Sequence, residues 1–84
     1  MAKRGKLEII RDILKIVQEN HSIKPTPLLR RSNLSSSRFK EYFAEITEKK
    51  FLKKIDGKIF LTEKGAKFIE KYKTILNFID EFEL

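Results

Sequence analysis

The chain has 84 residues, 40% of them apolar, enough for one buried core and too little for two. Nineteen lysines and arginines stand against 12 acids, a net charge of +7, so the expected partner is a polyanion, nucleic acid first and an anionic membrane surface second. The absence of cysteine excludes disulfides and thiolate metal sites, and the single His21 excludes a histidine cluster.

Leu7, Ile10, Ile13, Leu14 and Val17 recur at the three-and-four spacing of a helix with one buried stripe, which predicts a first helix over about Lys6 to Glu19. Ile9 and Ile16, seven apart, fall off that stripe and predict a second apolar face turned to the terminal helix or to a partner. Asn20, His21 and Ser22 break the period. Pro25 and Pro27 around Thr26 read as a helix start with Thr26 at the N-cap and Pro27 first, giving a short second helix over about Pro27 to Arg31. Ser32 and Asn33 form a turn, Leu34 points inward, and the Ser35 hydroxyl caps a third helix.

That helix, about Ser36 to Lys49, carries Phe39, Tyr42, Phe43 and Ile46 on one inner face and Ser36, Ser37, Lys40, Glu41 and Thr47 on the other. Asp56-Gly57 between Phe51–Ile55 and Lys58–Leu61 predicts a two-residue hairpin, because a type I′ turn requires positive φ at both central positions. In that register Ile55 faces Lys58 and Leu52 faces Leu61. Thr62 then caps a helix running almost to Leu84, with Glu63 well placed against its dipole.

Three helices, a hairpin and a long last helix make a mainly α fold with a β-hairpin, a winged helix-turn-helix in one domain over residues 1–84, with the winged unit at 6–61 and the terminal helix at 62–84. In such a fold the third helix enters the DNA major groove and the hairpin lies on the neighbouring backbone. Ser36, Ser37, Arg38, Lys40 and Glu41 occupy its first turns, with Ser37, Arg38 and Lys40 as the expected direct contacts. Lys53, Lys54 and Lys58 on the hairpin and Arg30 and Arg31 on the second helix are expected phosphate contacts, and Lys3 and Arg4 offer a short basic arm.

Residues 22–58 hold ten bases and four acids, +6, whereas residues 59–84 come to −1 and residues 1–21 to +2. A charge run is ordinarily a solvated face, but charge concentrated on the elements that would meet DNA is the footprint of phosphate neutralisation. On the last helix, Phe68, Tyr72, Ile75, Leu76, Ile79 and Phe82 form a stripe too broad for one small core, so a homodimer through this helix is expected.

No Gly-rich phosphate loop, Ser/His/Asp order, cysteine nucleophile or metal-ligand spacing occurs, so neither an enzyme nor a cofactor is expected. Without a long apolar run, and with MAKRGK leading into Glu8, Arg11 and Asp12, the expected location is the cytoplasm, on the nucleoid, with no membrane association.

The opening KLEII, the NLS turn, the DGK hairpin and the LTEKG junction into a long terminal helix resemble the small archaeal winged-helix DNA-binding proteins, notably the ten-a chromatin family. The resemblance covers nearly the whole chain. It implies an antiparallel coiled-coil dimer through the terminal helix, with DNA held by paired winged helices in an architectural or a regulatory role. Ser36 to Lys40 then match the reading helix, Lys53 to Lys58 the wing and Phe68 to Phe82 the dimer rod. Phe78 and Phe82 depart from the family pattern by placing bulk where coiled-coil seams prefer Leu or Ile. The reading reached is double-stranded DNA binding by a transcriptional regulator. An architectural chromatin protein and a winged helix used only to bind protein are the alternatives.

Overall fold

A computed structural model of the protein describes residues 5–84; the expected basic arm at Lys3 and Arg4 lies outside them. The elements run α1 (Lys6–Asn20), α2 (Pro25–Ser32), α3 (Ser36–Glu48), β1 (Leu52–Ile55), β2 (Lys58–Leu61) and α4 (Glu63–Glu81). The fold class is therefore the expected one, helices with a single antiparallel hairpin.

The hub is α1, which packs against α2, α4 and β2. Ile9, Ile10, Ile13, Leu14 and Val17 on α1 join Ile23, Leu28, Phe39, Ile46, Leu52 and Ile59 in one buried cluster. Each such aliphatic side chain contributes about 1.5–3 kcal/mol when taken fully out of water. The buried arc of α1 is rotated from the expected stripe. Leu7 is 53% exposed and Ile9 only 1%, so Ile9 belongs to the core and Leu7 does not. Leu7 sits at the rim of the arc and in the first helical turn, where the neighbouring elements supply little to pack against.

The start of α2 also differs from the reading of Thr26 as its cap. Lys24 is the N-cap and Pro25 the first helical residue, and the first intrahelical bond runs from Leu28 N to Lys24 O at 3.2 Å. Both prolines then lie in the first turn, whose N–H groups have no helical acceptor, so neither removes a bond.

One pairing has no counterpart in the sequence reading. Ile23 forms a β-bridge with Ile59, through Ile23 N to Ile59 O at 3.1 Å and Ile59 N to Ile23 O at 2.8 Å. This ties the link between α1 and α2 to the hairpin, giving the wing a fixed position on the body.

Candidate nucleic-acid interface

The turn between α2 and α3 is held by local polar chemistry. Asn33 takes the left-handed conformation at φ 61°, ψ 27°, which asparagine tolerates better than most residues. The buried Ser32 hydroxyl donates to Leu29 O at 2.6 Å and accepts from Leu34 N at 3.3 Å, and Leu34 packs against the core. Ser35 Oγ accepts from Arg38 N at 3.3 Å as the N-cap of α3. The direction in which α3 leaves the turn is thus fixed by two serines and one inserted leucine.

Helix α3 has an inner and an outer side. Phe39 and Ile46 are buried with Tyr42 and Phe43 half-buried beside them, and the Phe39 and Phe43 rings stack at 5.4 Å. Opposite, Ser37, Glu41, Ala44 and Glu48 follow one another at steps of four, three and four and form the outermost ridge, every one exposed. Ser36, Lys40 and Thr47 make the adjoining exposed row. Arg38 leans from the flank, its guanidinium carbon 6.0 Å from the Tyr42 ring centre. Glu45 turns aside to Lys6 at 3.1 Å and Lys49 at 3.9 Å.

The charge on α3 is not what the segment total suggests. Between Ser36 and Glu48 there are two bases, Arg38 and Lys40, and three acids, Glu41, Glu45 and Glu48. The excess positive charge flanks α3 instead, on Arg30 and Arg31 at the end of α2 and on the hairpin.

In the hairpin Leu52 pairs with Leu61, Lys53 with Phe60, Lys54 with Ile59 and Ile55 with Lys58, the expected register. Because paired residues share a face, Lys53, Ile55, Lys58 and Phe60 lie on one side and Leu52, Lys54, Ile59 and Leu61 on the other. Leu52 and Ile59 are buried, so the first set faces outward; Lys54 shares the core side of the sheet but stays exposed. Asp56 and Gly57 have φ of 52° and 77°, the double positive φ of a type I′ turn. Asp56 at the tip is thus explained by turn geometry.

The base of the wing is a clamp. Thr62 N donates to Phe51 O at 3.1 Å, Thr62 Oγ1 donates to Lys50 O at 2.7 Å, and the same oxygen accepts from Gly65 N at 3.0 Å. One threonine therefore caps α4 and fastens its start to the end of α3. Gly65 is buried there, and a methyl on it would overlap the Phe51 carbonyl oxygen and Leu61 Cδ1. The cap is legible in the sequence and the clamp is not, since the Phe51 carbonyl carries no side-chain signal.

On α4 the apolar stripe divides. Phe68 meets Phe51 with ring centres 5.1 Å apart, Tyr72 lies 6.3 Å from Phe68 and under the Arg11 guanidinium at 5.3 Å, so both are engaged within the chain. Ile75, Leu76, Phe78, Ile79 and Phe82 are 38–58% exposed. Gly65, Tyr72 and Ile79, interleaved with Phe68, Ile75 and Phe82, repeat every seven residues, the period of a helix-on-helix seam. The first half of that seam is filled by the chain itself.

Among the described residues no three His, Asp or Glu side chains gather as a metal site, and no helix is long and apolar enough to cross a membrane. A model of the winged helix-turn-helix family matches residues 3–80; the chain belongs to that family, whose fold is in general a DNA-binding one. It is also similar to an uncharacterized protein of Methanocaldococcus jannaschii, 35% identical over 77 residues that make up 92% of this chain and 36% of that longer relative.

Proposed function

We propose that this winged helix-turn-helix chain binds double-stranded DNA as a homodimer and regulates transcription, with the first turns of α3 in the major groove and the wing on the backbone. The observation that carries the reading is the arrangement of charge around α3. Arg30 and Arg31 close α2 and Lys53, Lys54 and Lys58 lie on the hairpin; α2 and the first hairpin strand both pack on α3, and all five side chains are exposed. Basic side chains on two neighbours of α3 would hold phosphates while its polar ridge meets base edges. Ser36, Ser37, Arg38, Lys40 and Glu41 are the residues that would meet them.

The dimer has its own support. The exposed half of the α4 seam needs a cover, and the helix is electrically lopsided. Lys64, Lys67, Lys71 and Lys73 outnumber Glu63 and Glu70 up to Lys73, whereas Asp80 and Glu81 stand in the last turn, with Glu83 just beyond. An antiparallel second copy would set acids against bases, and a parallel copy would set like against like. Two α3 helices would then address one duplex. A cytoplasmic, nucleoid-associated protein follows from the same reading.

A salt titration tests it. With about six phosphates neutralised per dimer, log affinity should fall against log salt with a slope near −5. Exchanging Lys40, Lys53 and Lys54 for glutamate should abolish binding, and a flat salt response of the unaltered protein ends the reading. The acidic members of the α3 ridge, Glu41 and Glu48, favour one rival, a winged helix that docks on protein; DNA affinity indifferent to the lysine exchanges would support it. Selection from random DNA separates the roles. A palindromic motif marks a regulator, and the absence of any motif marks an architectural chromatin protein.

A further inference from the structure

Glu41 is one of two acids on the α3 outer ridge, with Glu48, whose chemistry conflicts with a phosphate-facing role, and it is the nearer to the start of the helix. It is exposed one turn after Ser37 and beside Lys40, in the part of the helix that would enter the groove. Glu45, the next acid along, is held by Lys6 and Lys49, whereas Glu41 has no ion pair among the described residues. A carboxylate brought to phosphate is repelled. A carboxylate brought to the floor of the major groove can accept a hydrogen bond, and the donors there are the exocyclic amines of cytosine and adenine.

The two bases are not equivalent for a carboxylate. On adenine the N6 amine sits next to N7, an acceptor, so the second carboxylate oxygen would face a lone pair. On cytosine the N4 amine sits next to a C–H. We propose that Glu41 is a specificity-determining residue that accepts from the N4 amine of a cytosine in the target site. The proposal rests on the DNA-binding reading above and adds the base that one side chain selects. A glutamine at the same place carries both a donor and an acceptor and would match adenine N6 and N7 instead.

The test is selection from random duplex DNA with the full chain, followed by direct titration of the selected site, for the unaltered protein, Glu41→Gln and Glu41→Ala. The position is exposed, and circular dichroism checks that all three fold alike. The unaltered protein should select cytosine at one position of the half-site and lose about tenfold in affinity when that base pair is changed. Glu41→Gln should move the preference at that position to adenine. Glu41→Ala should lose the preference there alone, while binding unrelated duplex more tightly because a negative charge is gone. Identical preferences at every position in Glu41→Ala and the unaltered protein would overturn the proposal and leave DNA binding standing, as would selection that yields no motif. Failure of the unaltered protein to bind any duplex would overturn the DNA reading itself, and the proposal with it.

Discussion

The Arg31 guanidinium donates a 2.7 Å hydrogen bond to the side-chain oxygen of Asn20, and Asn20 donates in turn to Ile16 O at 2.7 Å. Arg31 therefore fastens the end of α2 to the end of α1, while its neighbour Arg30 is exposed with no such tie among the described residues. Arg31 thus adds a tie within the fold to the phosphate contact proposed for both arginines. Arg31→Ala should cost about 0.5–1 kcal/mol, the worth of one exposed charge-assisted bond, seen as a fall of a few degrees in Tm. Arg30→Ala should leave Tm in place and reduce the salt slope of DNA binding by about 0.9 for each bound copy. Equal Tm values for the two variants would contradict this division.

Gly65→Ala sets two effects against each other. Alanine favours a helix over glycine by about 1 kcal/mol, but the added methyl would overlap the Phe51 carbonyl and Leu61 at the wing clamp. A backbone oxygen cannot swing away as a side chain can, so the overlap should win, with net destabilisation of about 2 kcal/mol. Urea denaturation should show a lower midpoint at unchanged slope. A gain in stability would mean that the clamp is slack.

The end of α3 invites the opposite substitution. Lys50 holds φ at 63°, with Phe51 N bonded to Ile46 O at 3.1 Å and Lys50 N to Thr47 O at 3.0 Å, a helix stop that usually carries glycine. Lys50→Gly removes a left-handed strain of about 1–2 kcal/mol and adds unfolded-chain freedom of about 0.4–1 kcal/mol. The balance is a gain of roughly 0.5 kcal/mol, read as a higher denaturation midpoint.

Features whose cause is local were legible in the sequence. The Ser35 and Thr62 caps, the Asp56-Gly57 turn and its register, and the aromatic inner face of α3 each follow from a few adjacent residues. Features that depend on distant partners were not. Periodicity gave α1 an apolar side but not the rotation that buries Ile9 and exposes Leu7, which is set by what packs around it. Ile23 stands alone between polar residues and offers no alternation, so its bridge to Ile59 left no trace. At the candidate interface, the summed segment charge hid how the charge is distributed along it. Adding Lys49, Lys50 and the wing lysines to α3 concealed the acids of its outward ridge.

Glu48 tests how deeply α3 sits in the groove. It closes the ridge that starts at Ser37 and is exposed, with no ion pair among the described residues. If only the first turns of α3 reach base edges, Glu48 lies near a phosphate strand and opposes binding. Glu48→Gln should then tighten binding several-fold on any sequence, with the base preference unchanged. A changed preference would place the last turn of α3 on the bases.

The α4 seam passes from the chain's own core to solvent between Tyr72 and Ile75, and variants on the two sides of that boundary should fail differently. Phe68→Ala removes a ring packed on Phe51 at 5.1 Å and should cost the fold about 2–3 kcal/mol. Ile75→Asp with Ile79→Asp alters side chains that are 53% and 38% exposed, so the single chain should keep its stability. Association should be lost. Sedimentation should shift from dimer to monomer, and Tm should cease to rise with protein concentration. DNA affinity should drop about 10²- to 10⁴-fold, because the second α3 would no longer arrive tethered to the first. An unaltered protein that sediments as a monomer while binding DNA would remove the dimer. A loss of fold in the Ile75 and Ile79 variant would show that these residues pack within the chain after all.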